Sequence, residues 1–265
     1  MKHNLDVYSK KLHEDGFVHV VNLFNSEELQ DVLKAIKDNM NSPSPFGKIM
    51  KSENGGDFFM DFNNWKRLES LKKVCFNDKL VNLVTSLTKS KKCWLFHDHV
   101  LVKSGPALST PIHHDRPYYI FDGDLNVSVW ITADDVKRDS SLVFYKNSHK
   151  TEELYIPRSF NSGKMLAHKG VEGFQTIDED TFKEFDPVDF DMKAGDAIVF
   201  FHKTVHRAKE HKSGSLRRAL SVRYLLDGTT MTKNYINSTP PFDRMGVTVH
   251  EGSGVPENFF PLLKS

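Results

Sequence analysis

The chain has 265 residues, with 36 lysines and arginines against 35 aspartates and glutamates, which gives a formal net charge of +1. This balance gives no electrostatic reason to expect a nucleic-acid or anionic membrane partner, and a hydrophobic share of 38% excludes a disordered or fibrous chain. No apolar run reaches the roughly 18 residues of a membrane span, and the polar start contains no signal-peptide core. Only two cysteines occur. We therefore expect a reduced, cytoplasmic, globular protein.

The first third of the sequence indicates helices and one strand. Residues 7–15 are typical of a short helix, and residues 17–21 (FVHVV) of a strand. Ser26 is the expected N-cap of a longer helix whose apolar residues recur at helical spacing. Residues 41–56, rich in Pro, Ser and Gly, are expected to form a loop. A second amphipathic helix is expected to run through residues 80–87.

From residue 93 onward the pattern changes to short runs rich in Val, Phe, Ile and Tyr, which are separated by Gly, Asp, Pro and Ser. This pattern is typical of an antiparallel sandwich or barrel. The runs are CWLFHDHVLVK, YYIF, NVSVWIT, SLVFYK, DAIVFFH and RALSVRYLL. Residues 151–190 are charged and loop-like, which makes them a candidate lid. We expect one mainly β domain of the α+β class over residues 1–265, with a helical part to 92, a strand part over 93–230 and a tail over 231–265.

A histidine and an aspartate two residues apart are the first candidates for chemistry. In a strand, His113 and Asp115 share a face and His114 points to the other one. An imidazole and a carboxylate on one face are two of the three ligands of the facial triad that holds non-haem Fe(II). Alone, the pattern is more typical of a surface ion pair. The third ligand is expected from His202 or His206, and His206 is favoured because it follows a strand and a short turn.

Arginines on the last long strand indicate that a carboxylate-containing cosubstrate could bind beside the metal. A buried arginine is costly unless it meets a carboxylate, and its planar fork suits the distal end of a dicarboxylate. A 2-oxo acid could chelate two of the three positions that the triad leaves open, and O2 could take the last. Arg217, Arg218 and Arg223 are the candidates. They occupy both faces of the strand, so a surface-charged strand is the alternative.

The order HxD, distal His, strand Arg, together with its flanks, resembles the phytanoyl-CoA dioxygenase family of Fe(II)/2-oxoglutarate oxygenases, in a bacterial-type branch. The resemblance runs from Asp15 to at least Leu226. The motifs that carry it are FHDHVLVK (96–103), TPIHHDRPYY (110–119), VSVW (127–130) and NSH (147–149).

The resemblance implies a double-stranded β-helix, or jelly roll, with Fe(II), 2-oxoglutarate and O2 as cofactors. It makes His113, Asp115 and His206 the iron ligands. It also makes Arg217 the partner of the 2-oxoglutarate C5 carboxylate. Three more residues fall where relatives contact the cosubstrate: Trp130, His99 and His114.

Three positions depart from the family pattern. The usual Gln between the first two ligands is His114, the usual Trp before them is Ile112, and the small hydroxylated residue two past the distal His is Ala208. None of these departures touches the triad. Because Asp115 is present, no ligand position is left vacant for a halide, so hydroxylation is favoured over halogenation.

Substrate contacts are the least defined part of the prediction. Tyr118, Tyr119 and Arg158 are candidate pocket residues. The aromatic stretch 58–65 is expected to be mainly core, although its Asp61 and Asn64 could face the substrate, since relatives carry a similar segment. His97 and His99 share a strand face and could form a separate metal site, but a barrel-lining role is the simpler expectation.

The expected activity couples oxidative decarboxylation of 2-oxoglutarate to hydroxylation of a small organic metabolite, with release of succinate and CO2. No basic cluster suits the phosphates of CoA, so we expect a small polar or zwitterionic substrate. Two alternatives remain open. One is a cupin-like metal enzyme that does not use 2-oxoglutarate, which Arg217 disfavours. The other is a non-catalytic binding relative, which the intact triad disfavours.

Overall fold

The computed structural model describes residues 2–52, 55–160, 163–167, 172–177, 180–182, 185–211 and 214–265. The helices in these ranges are α1 (Lys2–Asp15), α2 (Ser26–Asn41), α3 (Glu69–Cys75) and α4 (Asp78–Thr88). The strands are β1 (Phe17–Val20), β2 (Lys48–Lys51), β3 (Asp57–Phe62), β4 (Cys93–Ser104), β5 (Thr110–His113), β6 (Phe121–Asp122), β7 (Val127–Thr132), β8 (Leu142–Tyr145), β9 (Leu154–Ile156), β10 (Phe174–Thr176), β11 (Pro187–Asp189), β12 (Ala197–Phe201), β13 (His206–Ala208), β14 (Leu216–Leu226), β15 (Thr230–Met231) and β16 (Leu262–Lys264). Across the described ranges, no helix combines the length and the apolar character that a bilayer crossing needs.

Two antiparallel sheets face each other and form the predicted double-stranded β-helix. The larger sheet has the order β1-β12-β7-β14-β4-β3-β2, with β16 added to one end of β4. The smaller sheet has the order β11-β8-β13-β5. Side chains of both sheets meet in one apolar layer that includes Trp130, Phe144, Phe200 and Ala208. The mainly β fold predicted from the sequence is therefore confirmed.

The helices cover the outer face of the larger sheet. Their apolar side chains, such as Val32 and Leu80, pack against outward-facing strand residues, such as Val129 and Val222, in the largest buried cluster. Because strand residues alternate between the two faces, the residues between those outward ones point into the jelly roll. Strand β14 pairs with β4 on one side and with β7 on the other. The inward-facing side chains of these three strands therefore lie next to one another in the interior.

Four details differ from the sequence-based expectations. The N-cap of α2 is Asn25, whose side chain accepts the N–H groups of Glu27 and Glu28, and Ser26 is the first helical residue. Part of the expected 41–56 loop is the edge strand β2. The part of the chain expected to be mainly helical contributes β3 to the larger sheet, in addition to β1, which matches the strand predicted at residues 17–21. The YYIF run (118–121) is not a continuous strand: Tyr118 ends a short 3-10 helix (Arg116–Tyr118) and only Phe121 lies in a strand, β6, because Pro117 favours the start of a helical turn over a sheet ladder.

The segment 151–190 contains more regular secondary structure than the loop that the sequence predicts. It contains β9 and β10, which pair in parallel, and β11, which joins the smaller sheet beside β8. Parts of this segment lie outside the described residues, so the predicted lid remains a prediction.

Candidate metal centre and cosubstrate pocket

Three side chains predicted from the sequence converge at the end of the smaller sheet. His113 is the last residue of β5 and His206 the first of β13, and the two are register partners. Asp115 follows at the start of the 3-10 turn. One ligand atom from each of the three residues lies within 4.8 Å of the others, and all three are buried. Among the described residues, this is the group of side chains with the spacing of a metal site.

Backbone carbonyls orient both imidazoles toward this centre. Nδ1 of His113 lies 2.8 Å from the Pro111 carbonyl oxygen, and Nδ1 of His206 lies 3.0 Å from that of Thr204. Each Nδ1–H therefore donates to a carbonyl, which leaves the Nε2 lone pair free for a metal. Burial lowers the pKa of His113 to about 3 and also lowers the pKa of His206. Both rings are thus neutral, as metal ligands must be.

The carboxylate of Asp115 is held by three donors. The Tyr119 hydroxyl and the Ser128 hydroxyl each lie 3.2 Å from Oδ2, and the Arg223 guanidinium lies 3.3 Å from the same oxygen. Burial by itself would raise the pKa of Asp115, but the Arg223 guanidinium holds it well below its usual range. The third candidate ligand is therefore an oriented, fully ionised carboxylate.

A second charged feature lies further along β14. The Arg217 guanidinium is buried, donates to the Ser140 carbonyl and lies 6.0 Å from the centroid of the Trp130 ring. In the described part of the chain no carboxylate comes within ion-pair distance of Arg217, and its Nε has no hydrogen-bond partner. A buried guanidinium without a counter-ion is unfavourable in a folded protein unless a ligand supplies the charge.

Lys103 adds a second buried basic side chain at the same place, and an anionic ligand there would favour its charged form. It is the register partner of Arg217 across β4 and β14, and it is completely buried. Its ammonium group donates to the Leu108 carbonyl oxygen and lies 4.9 Å from the Phe58 ring centroid. Burial, with Arg217 adding to it, lowers the pKa of Lys103 to about 6. The two side chains form a site suited to an anionic group.

Two unpaired polar atoms lie between the triad and these cations. Along β14, Ser221 lies between Arg223, which contacts Asp115, and Arg217; it is the register partner of His99. Nδ1 of His99 lies 3.2 Å from the Arg223 guanidinium and accepts from it, so Nε2 carries the proton. Among the described residues, neither that Nε2 nor the Ser221 hydroxyl has a partner, although both are buried. A metal at the triad and a dicarboxylate reaching from it to Arg217 fit these atoms.

Two alternatives for the metal ligands are not supported by the geometry. His202 points away from the triad, with Nδ1 toward the Asn126 carbonyl and Nε2 3.8 Å from an Asp122 carboxylate oxygen. His97 and His99 do lie on one face, but the Arg223 guanidinium occupies the space between them, and a cation there opposes a second metal ion.

Some residues predicted to contact the cosubstrate or substrate are not brought to the centre. His114 points away from it, as strand parity requires, and its Nε2 accepts the backbone N–H of Tyr155 at 3.0 Å. Asp61 lies on the outer face of β3, where its carboxylate accepts from Asn39 and Ser44. The Arg158 guanidinium donates to backbone carbonyls of its own loop region.

The other candidate residues lie near the proposed metal centre or in the neighbouring cavity. The contacts that they make there could not be predicted from their spacing in the sequence. The Tyr118 ring centroid lies 6.2 Å from that of His113. Tyr119 donates to Asp115. Asn64 lines a neighbouring cavity, while its side chain donates to the Phe62 carbonyl and accepts from Arg67. Trp130 packs beside Arg217, and its predicted contact with the cosubstrate remains a prediction.

Arg223, Ser128 and Lys103 are among the site residues that sequence reasoning did not assign. Arg223 was considered only as an alternative to Arg217. The signal for all three is strand parity: each shares an inward face with a residue that was predicted. Using that signal requires the register between β4, β7 and β14, which a single sequence does not give.

The fold and the site together define a jelly-roll protein with a buried two-histidine, one-carboxylate candidate metal centre and a pocket with two buried basic side chains beside it. The profile of the phytanoyl-CoA dioxygenase (PhyH) family matches residues 12–219, more than half of the chain. The chain belongs to this family. The membership confirms the resemblance found in the sequence and supports the predicted cofactors Fe(II), 2-oxoglutarate and O2. No curated protein is detectably similar to the chain in sequence.

Several solved structures share the fold. The non-haem α-ketoglutarate-dependent epimerase SnoN from nogalamycin biosynthesis superposes with a TM-score of 0.77 at 18% identity, covering 100% of both chains. The carbocyclase SnoK from the same biosynthesis gives 0.75 at 17% identity, covering 97% of this chain and 95% of its own. Apo EctD from S. alaskensis gives 0.66 at 14% identity, with 86% and 80% covered. At these identities the likeness establishes the fold.

Proposed function

We propose that the protein is an Fe(II)- and 2-oxoglutarate-dependent oxygenase that hydroxylates a small organic metabolite, releasing succinate and CO2. The observation that carries this proposal is the pairing of a buried triad, oriented for a metal, with a buried Arg217 that has no carboxylate partner among the described residues. Iron bound at such a site supplies the oxidising chemistry with O2. The protein residues bind, orient and tune.

His113, Asp115 and His206 are assigned as the iron ligands. The carbonyls of Pro111 and Thr204 fix the orientation of the two imidazoles, and the donors on Asp115 fix its carboxylate. Such supporting hydrogen bonds maintain ligand orientation and raise ligand basicity. An iron held by only these three protein ligands would keep coordination positions open for the cosubstrate.

Arg217 and Lys103 are assigned to the distal carboxylate of 2-oxoglutarate, with Trp130 packed against the guanidinium. His99 Nε2 and the Ser221 hydroxyl provide hydrogen-bond partners between this carboxylate and the metal. A buried charge pair formed only when the cosubstrate binds makes its recognition specific. Oxidation of a C–H bond other than by hydroxylation remains the alternative outcome, since the related folds SnoN and SnoK are an epimerase and a carbocyclase.

The first experiment is an anaerobic titration of the Fe(II)-loaded protein with 2-oxoglutarate, followed by the weak visible metal-to-ligand charge-transfer band. The band is expected in the wild-type protein and is expected to be lost in Asp115→Ala. Iron binding without a band would exclude 2-oxoglutarate chelation and favour the cupin-like alternative. An absence of iron binding would contradict the enzyme assignment.

Neighbouring arginines provide a matched pair of variants for the cosubstrate site. Arg217→Gln is expected to raise the 2-oxoglutarate concentration at half-maximal band intensity at least about tenfold, the effect of losing a charge-assisted contact. Arg218→Gln serves as the control, because Arg218 faces outward and pairs with Asp134. Equal behaviour of the two variants would contradict the role of Arg217.

A cytoplasmic location and a partner set limited to small molecules are part of the same proposal. Both cysteines, Cys75 and Cys93, are buried and unpaired with each other, which is consistent with a reducing compartment. The formal net charge of +1 provides no field that would attract nucleic acid.

A further inference from the structure

A cavity of about 310 Å³ lies beside the proposed active site, and no role has yet been assigned to it. This volume falls at the lower end of the range for small-molecule pockets. Five phenylalanines and one methionine contribute to its wall, namely Phe46, Phe62, Phe242, Phe259, Phe260 and Met245. Such a wall suits a flat apolar group, since aromatic rings pack well edge-to-face and in offset stacks.

Two cations, Lys66 and Arg67, also line this cavity, and only one of them is available. The Arg67 guanidinium is already bound to the Asn64 side chain and to Ser42. In the described residues, no carboxylate lies within ion-pair distance of the Lys66 ammonium. It lies 5.2 Å from the Trp65 ring centroid and 5.6 Å from that of Phe259. A negatively charged group in the cavity would meet this ammonium.

Two aromatic side chains of the cavity wall pack on histidines that lie near the proposed metal centre. The Phe62 ring centroid lies 5.8 Å from that of His99, and the Phe242 ring centroid lies 6.1 Å from that of His97. Both histidines contact the Arg223 guanidinium, which in turn binds Asp115. A ligand in the cavity would therefore touch rings that pack directly on the groups supporting the triad.

We propose that this cavity binds the part of the substrate remote from the oxidised carbon, and that this part is an aromatic group carrying a negative charge recognised by Lys66. The proposal rests on the oxygenase function proposed above and specifies its substrate class. It replaces the small polar or zwitterionic metabolite expected from the sequence. That expectation did not include the C-terminal segment, which supplies Phe242, Met245, Phe259 and Phe260 to the wall.

The test uses naphthalene-2-carboxylate as the probe and neutral naphthalene-2-carboxamide as its uncharged counterpart. Binding is measured by calorimetry under anaerobic conditions with the protein saturated in Fe(II) and 2-oxoglutarate, so that Arg217 and Lys103 are occupied. The carboxylate is expected to bind about fivefold more tightly than the carboxamide, which is the effect of one partly exposed ion pair. Failure of both probes to bind would overturn the proposal.

Substitutions of residues that line the cavity test whether the probe binds there. Lys66→Gln should remove the preference for the carboxylate, Lys66→Arg should retain it, and Phe46→Ala should weaken both probes. The control is Lys11→Gln on the outer helix α1, which should bind like the wild-type protein. A carboxylate preference that persists in Lys66→Gln, or unchanged binding in Phe46→Ala, would place the probe elsewhere and contradict the assignment.

The charge-transfer band separates this proposal from the proposed function. Probe binding is expected to shift the band in the wild-type protein, and to do so less in Lys66→Gln at the same probe concentration. Cavity binding that leaves the band unchanged would overturn the substrate assignment. If no band forms before the probe is added, the oxygenase function fails, and calorimetry alone then decides whether the cavity takes an aromatic anion.

Discussion

Asp115 connects the metal centre to the larger sheet, because its one carboxylate faces the two triad histidines and also binds Tyr119, Ser128 and Arg223. Metal ligands are usually supported in this way by hydrogen bonds from groups behind them. The carboxylate is consequently a structural counter-ion as well as the proposed metal ligand. Loss of this side chain should therefore affect both the stability of the metal-free protein and its iron binding. Measurements on metal-free and metal-loaded protein can separate the two effects.

Asp115→Ala is expected to lower the free energy of unfolding of the metal-free protein by about 3 kcal/mol, because the nearly buried Arg223 then keeps its charge without a carboxylate. Urea unfolding in the presence of a chelator measures this change. The double variant Asp115→Ala/Arg223→Leu should recover much of the stability without recovering iron binding. A single variant as stable as the wild-type protein would show that the Arg223 contact does not contribute to folding.

The triad could be predicted from the sequence because its information is local. His113 and Asp115 share a face by spacing alone, and His206 follows a recognisable strand. The groups that hold them could not be predicted in the same way. Arg223 and Ser128 reach Asp115 only because β14 pairs with β7 in a particular register, and register depends on contacts between distant parts of the chain.

At the scale of whole elements, α2 shows how a small sequence ambiguity is resolved. Asn25 and Ser26 are both good N-cap residues. The structure selects Asn25, because Glu28 then stands at the third helical position and its carboxylate accepts the Asn25 backbone N–H at 2.9 Å. The reciprocal pair is a capping box, which satisfies two backbone donors at once.

Asn25→Ala is expected to lower the free energy of unfolding by about 1 kcal/mol, since the N–H groups of Glu27 and Glu28 lose their acceptor. Thermal unfolding followed by circular dichroism measures the change. Ser26→Ala, at the adjacent exposed position, should stay within about 0.5 kcal/mol of the wild-type protein. A larger loss of stability in Ser26→Ala than in Asn25→Ala would indicate that Ser26 is the N-cap.

Strand β2 shows where periodicity fails as a guide. Its sequence KIMK exposes Lys48, Ile49 and Lys51 and buries only Met50. A short edge strand with charged side chains carries little hydrophobic pattern, although such charges help to protect a sheet edge from unwanted pairing. The long central strands β4 and β14 were predicted well, because most of their residues are buried and apolar.

At the scale of the whole molecule, the C-terminal segment is part of the folded structure and not a tail. Phe242 and Phe260 are buried, and each lies within 6 Å, between ring centroids, of the Phe96 ring on β4. β16 also pairs with β4. The sequence did not predict this, since residues 231–265 contain few periodic runs, and their role depends on an aromatic cluster formed by distant residues. We propose on this basis that residues 1–265 form one domain.

Phe260→Ala tests the one-domain proposal directly. The Phe260 ring is buried and contacts those of Phe96, Phe121 and Phe242, so its removal leaves a cavity in the shared cluster and should cost about 4 kcal/mol of unfolding free energy. Phe259→Ala is the matched control, because that ring is only half-buried, and it should cost about 1 kcal/mol. Unfolding of the wild-type protein should be a single transition that moves as a whole in Phe260→Ala. A variant that melts in two steps, or one as stable as Phe259→Ala, would mean that the C-terminal segment folds independently of the jelly roll.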